Sequence, residues 1–168
     1  MINNLVKYSL MWIVLILLQI MLFNHIQFSG LVNPYLYILF ILLLPFDTPK
    51  YLLLILGFLL GLNVDIFCNT PGIHASATTV MAFARPAVIN LISSRDTLDS
   101  NALPRMKQMG PAWFIRYTIL LVLLHHLFLF YVEVFTLKGF IFTLFRSLLS
   151  ALFTIVLIVL SQFLIYKE

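Results

Sequence analysis

The sequence has little charge, almost no cysteine and only short polar stretches between its apolar ones. Charged residues make up 10% of the 168, hydrophobic residues make up 62%, and the mean hydropathy is +1.08. A water-soluble domain of this length does not have such a composition. We therefore expect an integral membrane protein.

The missing residue types and motifs also exclude several chemistries. A single cysteine, Cys68, excludes an intrachain disulfide and a cysteine-based metal cluster. There is no Gly-x-Ser-x-Gly, no His-Glu-x-x-His and no glycine-rich phosphate loop. His125 and His126 are adjacent, so on a helix they project about 100° apart and cannot grip one metal ion as an i, i+4 pair can. We predict no catalytic residue, no metal site and no cofactor, and hence no enzyme.

The formal charge of +4 does not indicate nucleic acid, because the Lys and Arg residues are scattered along the predicted membrane rim. Their distribution instead predicts topology. One side of the membrane holds six basic loop residues, and the other side holds only Lys138. The six are Lys7, Lys50, Arg95, Arg105, Lys107 and Lys167. Because positively charged loops stay in the cytoplasm, this distribution places both termini there. The largest cytoplasmic loop also holds Asp96 and Asp99.

The apolar stretches predict about six transmembrane helices, packed as one compact all-α membrane domain over residues 1–168. Proline and glycine mark most of the breaks between them. The second stretch is short, and either crosses with little tilt or sits embedded among its neighbours. The predicted spans are 4–24, 33–46, 50–67, 74–93, 112–133 and 139–166.

The least ordinary part of the sequence joins the third and fourth spans. Gly57 and Gly61 lie four residues apart on one helix face, which lets another helix backbone approach closely. Asp65 is the only aspartate within a predicted span, and reads either as an ion or ligand site or as a hydrogen-bonded structural carboxylate. Asn63 projects about 160° away from Asp65 and would serve a different neighbour.

A polar turn follows, and its residues are Asn69, Pro71 and Gly72. These residues end one helix and permit a tight turn before His74, which reads as a cap or an interfacial residue. Arg85 precedes Pro86, which removes a helical hydrogen bond and bends the fourth helix. The guanidinium is expected to snorkel or to bind a freed carbonyl.

An ion pair is predicted near the outer ends of the later helices. His126 and Glu133 share a stripe of the fifth helix, and Arg146 on the sixth lies at a depth comparable with Asp65. We expect Arg146 to pair with Asp65 or with Glu133 and to tie the third, fifth and sixth helices together.

The stretch from Gly61 to Asp65, followed by Pro71, Gly72 and His74 and then by Arg85, resembles the pattern of the rod shape-determining protein MreD family. The turn after Asp65 departs from the longer turn common in that family. The resemblance implies a non-enzymatic scaffold of the cell-elongation machinery (the elongasome) in the bacterial inner membrane. It implies contacts with MreC and, directly or indirectly, with MreB, a RodA-type glycosyltransferase and a penicillin-binding transpeptidase, within surrounding membrane lipids.

The family's fold is similar to the substrate-binding subunit of energy-coupling-factor transporters, which implies an alternative function. As a scaffold, the chain should offer Gly57, Gly61 and the outer turn to partner helices. As a small-solute or vitamin-binding subunit, it should enclose an outward-opening cavity. The residues expected to line that cavity are Asn63, Asp65, His126, Glu133 and Arg146.

Overall fold

The chain folds as a bundle of α-helices in a computed structural model that describes residues 2–25, 31–93, 103–136 and 139–165. Short 3₁₀ turns lie at Phe23–His25 and Leu36–Ile38. The helices are α1 (Ile2–Met21), α2 (Leu39–Leu43), α3 (Lys50–Cys68), α4 (Ile73–Ile92), α5 (Met106–Met109), α6 (Pro111–Val134) and α7 (Phe140–Ile165).

Four of these helices, α3, α4, α6 and α7, are long and apolar enough to cross a bilayer. In α1 the stretch Leu5–Met21 is also apolar and is slightly shorter than these four helices. The prediction of a compact all-α membrane bundle is confirmed, and the chain is a multi-pass membrane protein. The predicted bounds of the five long helices agree with the structure to within a few residues.

The second predicted span, 33–46, is the element that differs most from a regular helix. It begins without regular secondary structure, makes the 3₁₀ turn, continues into the five residues of α2 and leaves the helix after Leu43. Residues 34–44 are all buried, so protein and not lipid surrounds this segment. Irregular backbone is tolerated at membrane depth only where it is buried in this way. Of the two readings left open by the sequence, embedding among the neighbouring helices is the observed one.

Helices α3 and α4 form a hairpin with the most extensive helix contact of the bundle; α1 packs on α3, α6 on α4, and α7 on α6. The turn between α3 and α4 contains two residues with positive φ, Asn69 at 57° and Gly72 at 87°. Asn and Gly are the residue types that enter this left-handed region most readily. We call the end of the bundle that holds residues 69–72 the turn end.

Part of the predicted loop charge lies outside the described residues, namely Arg95, Asp96, Asp99, Lys138 and Lys167. The orientation derived from those charges therefore stays a prediction. The short helix α5 lies within the stretch predicted as the largest cytoplasmic loop.

Candidate functional site

The glycine face of α3 packs against α4 of the same chain. A Cβ atom placed on Gly61 would lie 2.5 Å from the backbone N and Cα of Ala75. A Cβ atom on Gly57 would lie 2.9 Å from the Cβ of Ala82 and 3.1 Å from the carbonyl oxygen of Thr78. The close helix approach expected from these glycines is present, but α4 fills this face. The expectation that Gly57 and Gly61 offer it to a partner helix is corrected.

The carboxylate of Asp65 caps the start of α4 from the preceding helix. Its Oδ1 accepts hydrogen bonds from the backbone N–H of His74 at 2.9 Å and from the Thr70 hydroxyl at 2.9 Å. Its Oδ2 accepts from the backbone N–H of Ala75 at 2.9 Å. The first N–H groups of a helix have no partner within it, and an anion at this end is favoured by the helix dipole. Gly72 occupies the N-cap position and has no side chain to do this. Of the two readings of Asp65, the geometry matches the structural carboxylate.

His74 completes this cluster through the Nδ1 atom of its ring. Its Nδ1 lies 3.0 Å from Asp65 Oδ1 and 3.0 Å from the Thr70 hydroxyl oxygen. An ionised carboxylate can only accept, so Nδ1 carries the proton. The residue is 4% exposed, and its Nε2 has no hydrogen-bond partner among the residues that the structure describes.

Arg85 is buried, with 1% exposure, at the far end of the embedded segment. Its guanidinium donates to the carbonyl oxygens of Leu44 and Pro45, and its Nε donates to the Tyr117 hydroxyl at 2.7 Å. Tyr117 in turn donates to the carbonyl of Leu42 at 3.1 Å. These carbonyls lie in the last turn of α2 and in the two residues around its C-terminal cap, where helix carbonyls lack partners and cations are favoured. Arg85 does bind carbonyls, as expected, but they belong to the embedded segment and not to its own helix.

Arg146 pairs with Glu133 across α6 and α7, with 3.4 Å between Nη1 and Oε2. Its guanidinium also lies over the Phe130 ring, 4.6 Å from the centroid. With its amide oxygen turned towards Arg146, Asn33 accepts from Nη2 at 2.8 Å. The buried Nε has no hydrogen-bond partner within the part of the chain that the structure describes. The predicted pair therefore forms with Glu133. The alternative pairing with Asp65 is wrong, because that carboxylate is held by the start of α4.

A buried network of aromatic and polar side chains fixes the embedded segment inside the bundle. The Tyr37 hydroxyl lies 2.9 Å from His125 Nε2 and 3.2 Å from the Thr78 hydroxyl. Thr154 on α7 joins His126 Nε2 at 3.0 Å and accepts from the backbone N–H of Tyr35 at 3.0 Å. Side chains thus supply partners for a segment whose backbone is not fully helical.

A cavity of about 370 Å³ opens at the turn end between the ends of α1, α3, α4, α6 and α7. Its polar residues come from five parts of the chain and its remaining walls are apolar. The polar and aromatic lining includes Asn24, Asn33, Tyr35, Cys68, Thr70, His74, Glu133 and Arg146, and the apolar lining is Ile20, Phe23, Phe67, Ile73 and Leu129.

Not all residues expected around this cavity line it. Glu133 and Arg146 do, whereas Asp65 lies behind His74 and Thr70. The lining does not include Asn63, which donates to the Leu59 carbonyl of its own helix at 2.8 Å, or His126, which is fully buried. The expectation for these three residues is corrected.

Sequence reasoning missed Tyr35, Tyr37, Asn24 and Asn33 as site residues. Asn24 donates to Cys68 Sγ at 3.1 Å and accepts from Gln19 at 3.0 Å. One available signal was the run of polar and aromatic residues that interrupts the apolar pattern just before the short second span. Among the residues that the structure describes, no three His, Cys, Asp or Glu side chains are placed to hold a metal ion.

Fold and site together define a helical multi-pass membrane protein with a polar cavity at one end. Comparison with known proteins adds no closer relationship, because no family model, no curated protein and no solved structure matches this chain.

Proposed function

We propose that this chain is a non-enzymatic membrane scaffold of the bacterial cell-elongation machinery, as its resemblance to the MreD family implies. In this role it lies in the plasma membrane with both termini in the cytoplasm. It connects MreC with MreB filaments, a RodA-type glycosyltransferase and a penicillin-binding transpeptidase.

The observation that carries the proposal is the inward placement of the residues on which the resemblance rests. Gly61, Asp65 and His74 hold α3 against α4, and Arg85 fixes the embedded segment. A scaffold needs one fixed shape, and these contacts supply it. The residues of the pattern therefore do not themselves have to contact partners.

The surface proposed to contact the partner is an open groove between α1 and α3. The groove encloses about 620 Å³ and is lined mainly by apolar side chains, among them Trp12, Phe40, Leu52 and Leu56. An apolar transmembrane helix, such as that of a bitopic MreC-type partner, can pack into such a surface through dispersion contacts.

The experiment is affinity purification of the tagged chain from its own host in mild detergent, with mass spectrometry of co-purifying proteins and small molecules. We expect MreC-like and cell-wall synthase proteins. Leu52→Trp should fill the groove and reduce their recovery several-fold, whereas Leu160→Trp, on the exposed face of α7, should not. Recovery of a coupling protein with ATPases, and none of the cell-wall proteins, would contradict the scaffold.

The second candidate is a small-solute-binding subunit of an energy-coupling-factor type transporter, and the turn-end cavity is the observation that favours it. The cavity volume of about 370 Å³ falls at the small end of the range for ligand sites, roughly 300–1,000 Å³. The purification distinguishes this candidate, because a bound small molecule would be detected in the same sample.

A further inference from the structure

Arg116 is an exposed cation on the outer side of a membrane-spanning helix. It lies five residues after the start of α6, and Ala112 and Leu120, one turn before and after it, are exposed as well. Arg85 and Arg146 have partners inside the bundle. Arg116 has no hydrogen bond or ion pair with any residue that the structure describes. Charged side chains in membrane helices are costly without a partner, so this one indicates a partner outside the chain.

Trp113 marks the depth at which Arg116 lies. Its indole N–H donates to the Ser93 hydroxyl at 2.9 Å, just beyond α4, and its ring stacks on Tyr117 with 5.0 Å between the centroids. Tryptophan is typical of the boundary between lipid headgroups and hydrocarbon. Arg116 is three residues further along α6, about 4.5 Å deeper. Side chains of a helix lean towards its N-terminus, so the guanidinium can extend back to the level of the lipid phosphates.

The end of the bundle opposite the turn end, which we call the α5 end, has an excess of positive charge. Its described basic residues are Lys7, Lys50, Arg105, Lys107 and Arg116. Asp47 is the acidic residue described at this end, and it lines the α1–α3 groove without pairing with Arg116. Lys107 is exposed on α5, which packs on α6. A zwitterionic headgroup would bring its own cation to this face, whereas a headgroup with net negative charge is attracted by it.

An apolar groove on the same side of α6 can receive an acyl chain. Leu120, 39% exposed, lies between Arg116 and this groove. Leu124, at its near end, is about 12 Å along the helix from Arg116. One leaflet is half of a hydrocarbon core that is about 30 Å thick, so a chain that starts at Arg116 reaches the groove. The groove encloses about 430 Å³ and is lined by Leu124, Leu127, Phe128, Tyr131, Val132 and Phe135.

We propose that Arg116, with Lys107, binds the phosphate of an anionic phospholipid at the α5 end of α6. Guanidinium groups bind phosphate oxygens through two parallel hydrogen bonds, and these charge-assisted bonds are among the stronger ones in proteins. The acyl chain lies along Leu120 towards the α6 groove. This lipid site is independent of the choice between a scaffold and a solute-binding subunit.

The test uses the full chain in lipid bilayers and the quenching of tryptophan fluorescence by brominated lipids. The sequence has two tryptophans, so Trp12→Phe leaves Trp113 as a reporter three residues from Arg116. Either phosphatidylglycerol or phosphatidylcholine, brominated near the carboxyl end of its acyl chains, is mixed into unlabelled phosphatidylcholine. Quenching then gives the relative affinity of the two lipids at Trp113. We expect a preference for phosphatidylglycerol of about fivefold, the effect of one basic residue near an anionic headgroup.

Variants connect this preference to the Arg116 side chain. Arg116→Gln should reduce it to about twofold or less, whereas Arg116→Lys should keep most of it because the charge remains. Lys7→Gln is the matched control, since Lys7 is an exposed basic residue at the same end on α1, and should leave the preference at Trp113 unchanged. Arg116→Gln should also leave the melting temperature in lipid-free detergent unchanged, which excludes a general loss of fold.

Equal quenching by the two lipids at Trp113 overturns the proposal. A preference that survives Arg116→Gln also overturns it, and so does one that Lys7→Gln reduces as much, because the attraction would then belong to the whole α5 end. Should Trp12→Phe not fold, native mass spectrometry replaces the fluorescence measurement. The unaltered chain should then retain phosphatidylglycerol over phosphatidylcholine, and Arg116→Gln should lose this difference; the same retention by both proteins would contradict the site.

Discussion

At the residue scale, Asp65 and Arg85 show how a membrane protein accommodates ionisable side chains. Each satisfies backbone groups that the bilayer cannot hydrate: Asp65 meets N–H groups at the start of α4, and Arg85 meets carbonyls at the end of α2. Both are buried, at 3% and 1% exposure. Their removal therefore leaves several polar groups unpaired at once, which makes it more damaging than the loss of one hydrogen bond.

Replacing Asp65 with Ala should lower the free energy of unfolding by about 3 kcal/mol, because the loss of a cap and of buried acceptors combine. Asn63→Ala is the matched control, since the Asn63 amide donates to the Leu59 carbonyl of its own helix, and should change the free energy of unfolding by less than about 0.5 kcal/mol. Thermal unfolding in detergent measures both. Equal losses in the two variants would contradict the capping role.

Tyr117→Phe should destabilise the protein by about 1–2 kcal/mol, since its hydroxyl joins Arg85 to the Leu42 carbonyl inside the bundle. Arg85→Ala should have a larger effect, about 3 kcal/mol or more, because the carbonyls of Leu44 and Pro45 also lose their donor. Arg116→Ala, at an exposed position beside Tyr117, serves as the control. A neutral Tyr117→Phe would show that this hydrogen bond is dispensable.

At the element scale, helix contacts explain the two glycines of α3. A methyl group on Gly61 meets the backbone of α4, which cannot move without separating the helices, whereas one on Gly57 meets mainly a side chain and one carbonyl. Alanine otherwise favours a helix over glycine by about 1 kcal/mol. Whether each Gly→Ala substitution raises or lowers the free energy of unfolding therefore reports how tightly α3 and α4 pack at that position.

Gly61→Ala should destabilise the protein by at least about 2 kcal/mol, and Gly57→Ala by less. At Gly61 the added methyl group collides with the α4 backbone, so the cost of overpacking exceeds the gain in helix propensity by the larger amount. Detergent melting curves of the two variants, with lipid-facing Ile66→Ala as control, check the order. A stabilising Gly61→Ala would contradict the close approach. Leucine at either position should disrupt the hairpin itself, so it cannot report on partner binding.

The α6–α7 contact is tested by charge reversal at its ion pair. Arg146→Glu should destabilise the protein by about 0.5–1 kcal/mol, since the pair is partly exposed. Adding Glu133→Arg should restore most of this loss, and adding Asp65→Arg should deepen it. Rescue by Asp65→Arg instead would show that the α3 carboxylate is the true partner.

At the scale of the whole molecule, orientation is the open structural prediction. We expect the turn end to face outward and α5 to face the cytoplasm, because positive loops stay inside. In a Cys68→Ser background, Asn69→Cys should react with a membrane-impermeant maleimide added to intact cells, and Lys107→Cys should react only after lysis. The opposite labelling would reverse the topology and place the cavity on the cytoplasmic side.

Much of this molecule followed from the sequence alone, because apolar length and Pro or Gly breaks are local signals. Apolar length and the breaks predicted a membrane protein and the bounds of five long helices. Glycine spacing predicted the close contact of α3, and helical depth predicted that Arg146 pairs with a nearby carboxylate. These properties depend on residues close in sequence or at known helical depth. The pairing partner itself was left open between Asp65 and Glu133.

Only the tertiary structure decided that the second span is an embedded, partly non-helical segment, and that α4 fills the glycine face of α3. Apolar composition is the same whether a segment faces lipid or protein, and helical spacing shows that a face is small without showing what covers it. The cavity was likewise decided by folding, since its residues come from five parts of the chain. Contacts between residues far apart in sequence leave no pattern in the local sequence, and the cavity is formed by such contacts.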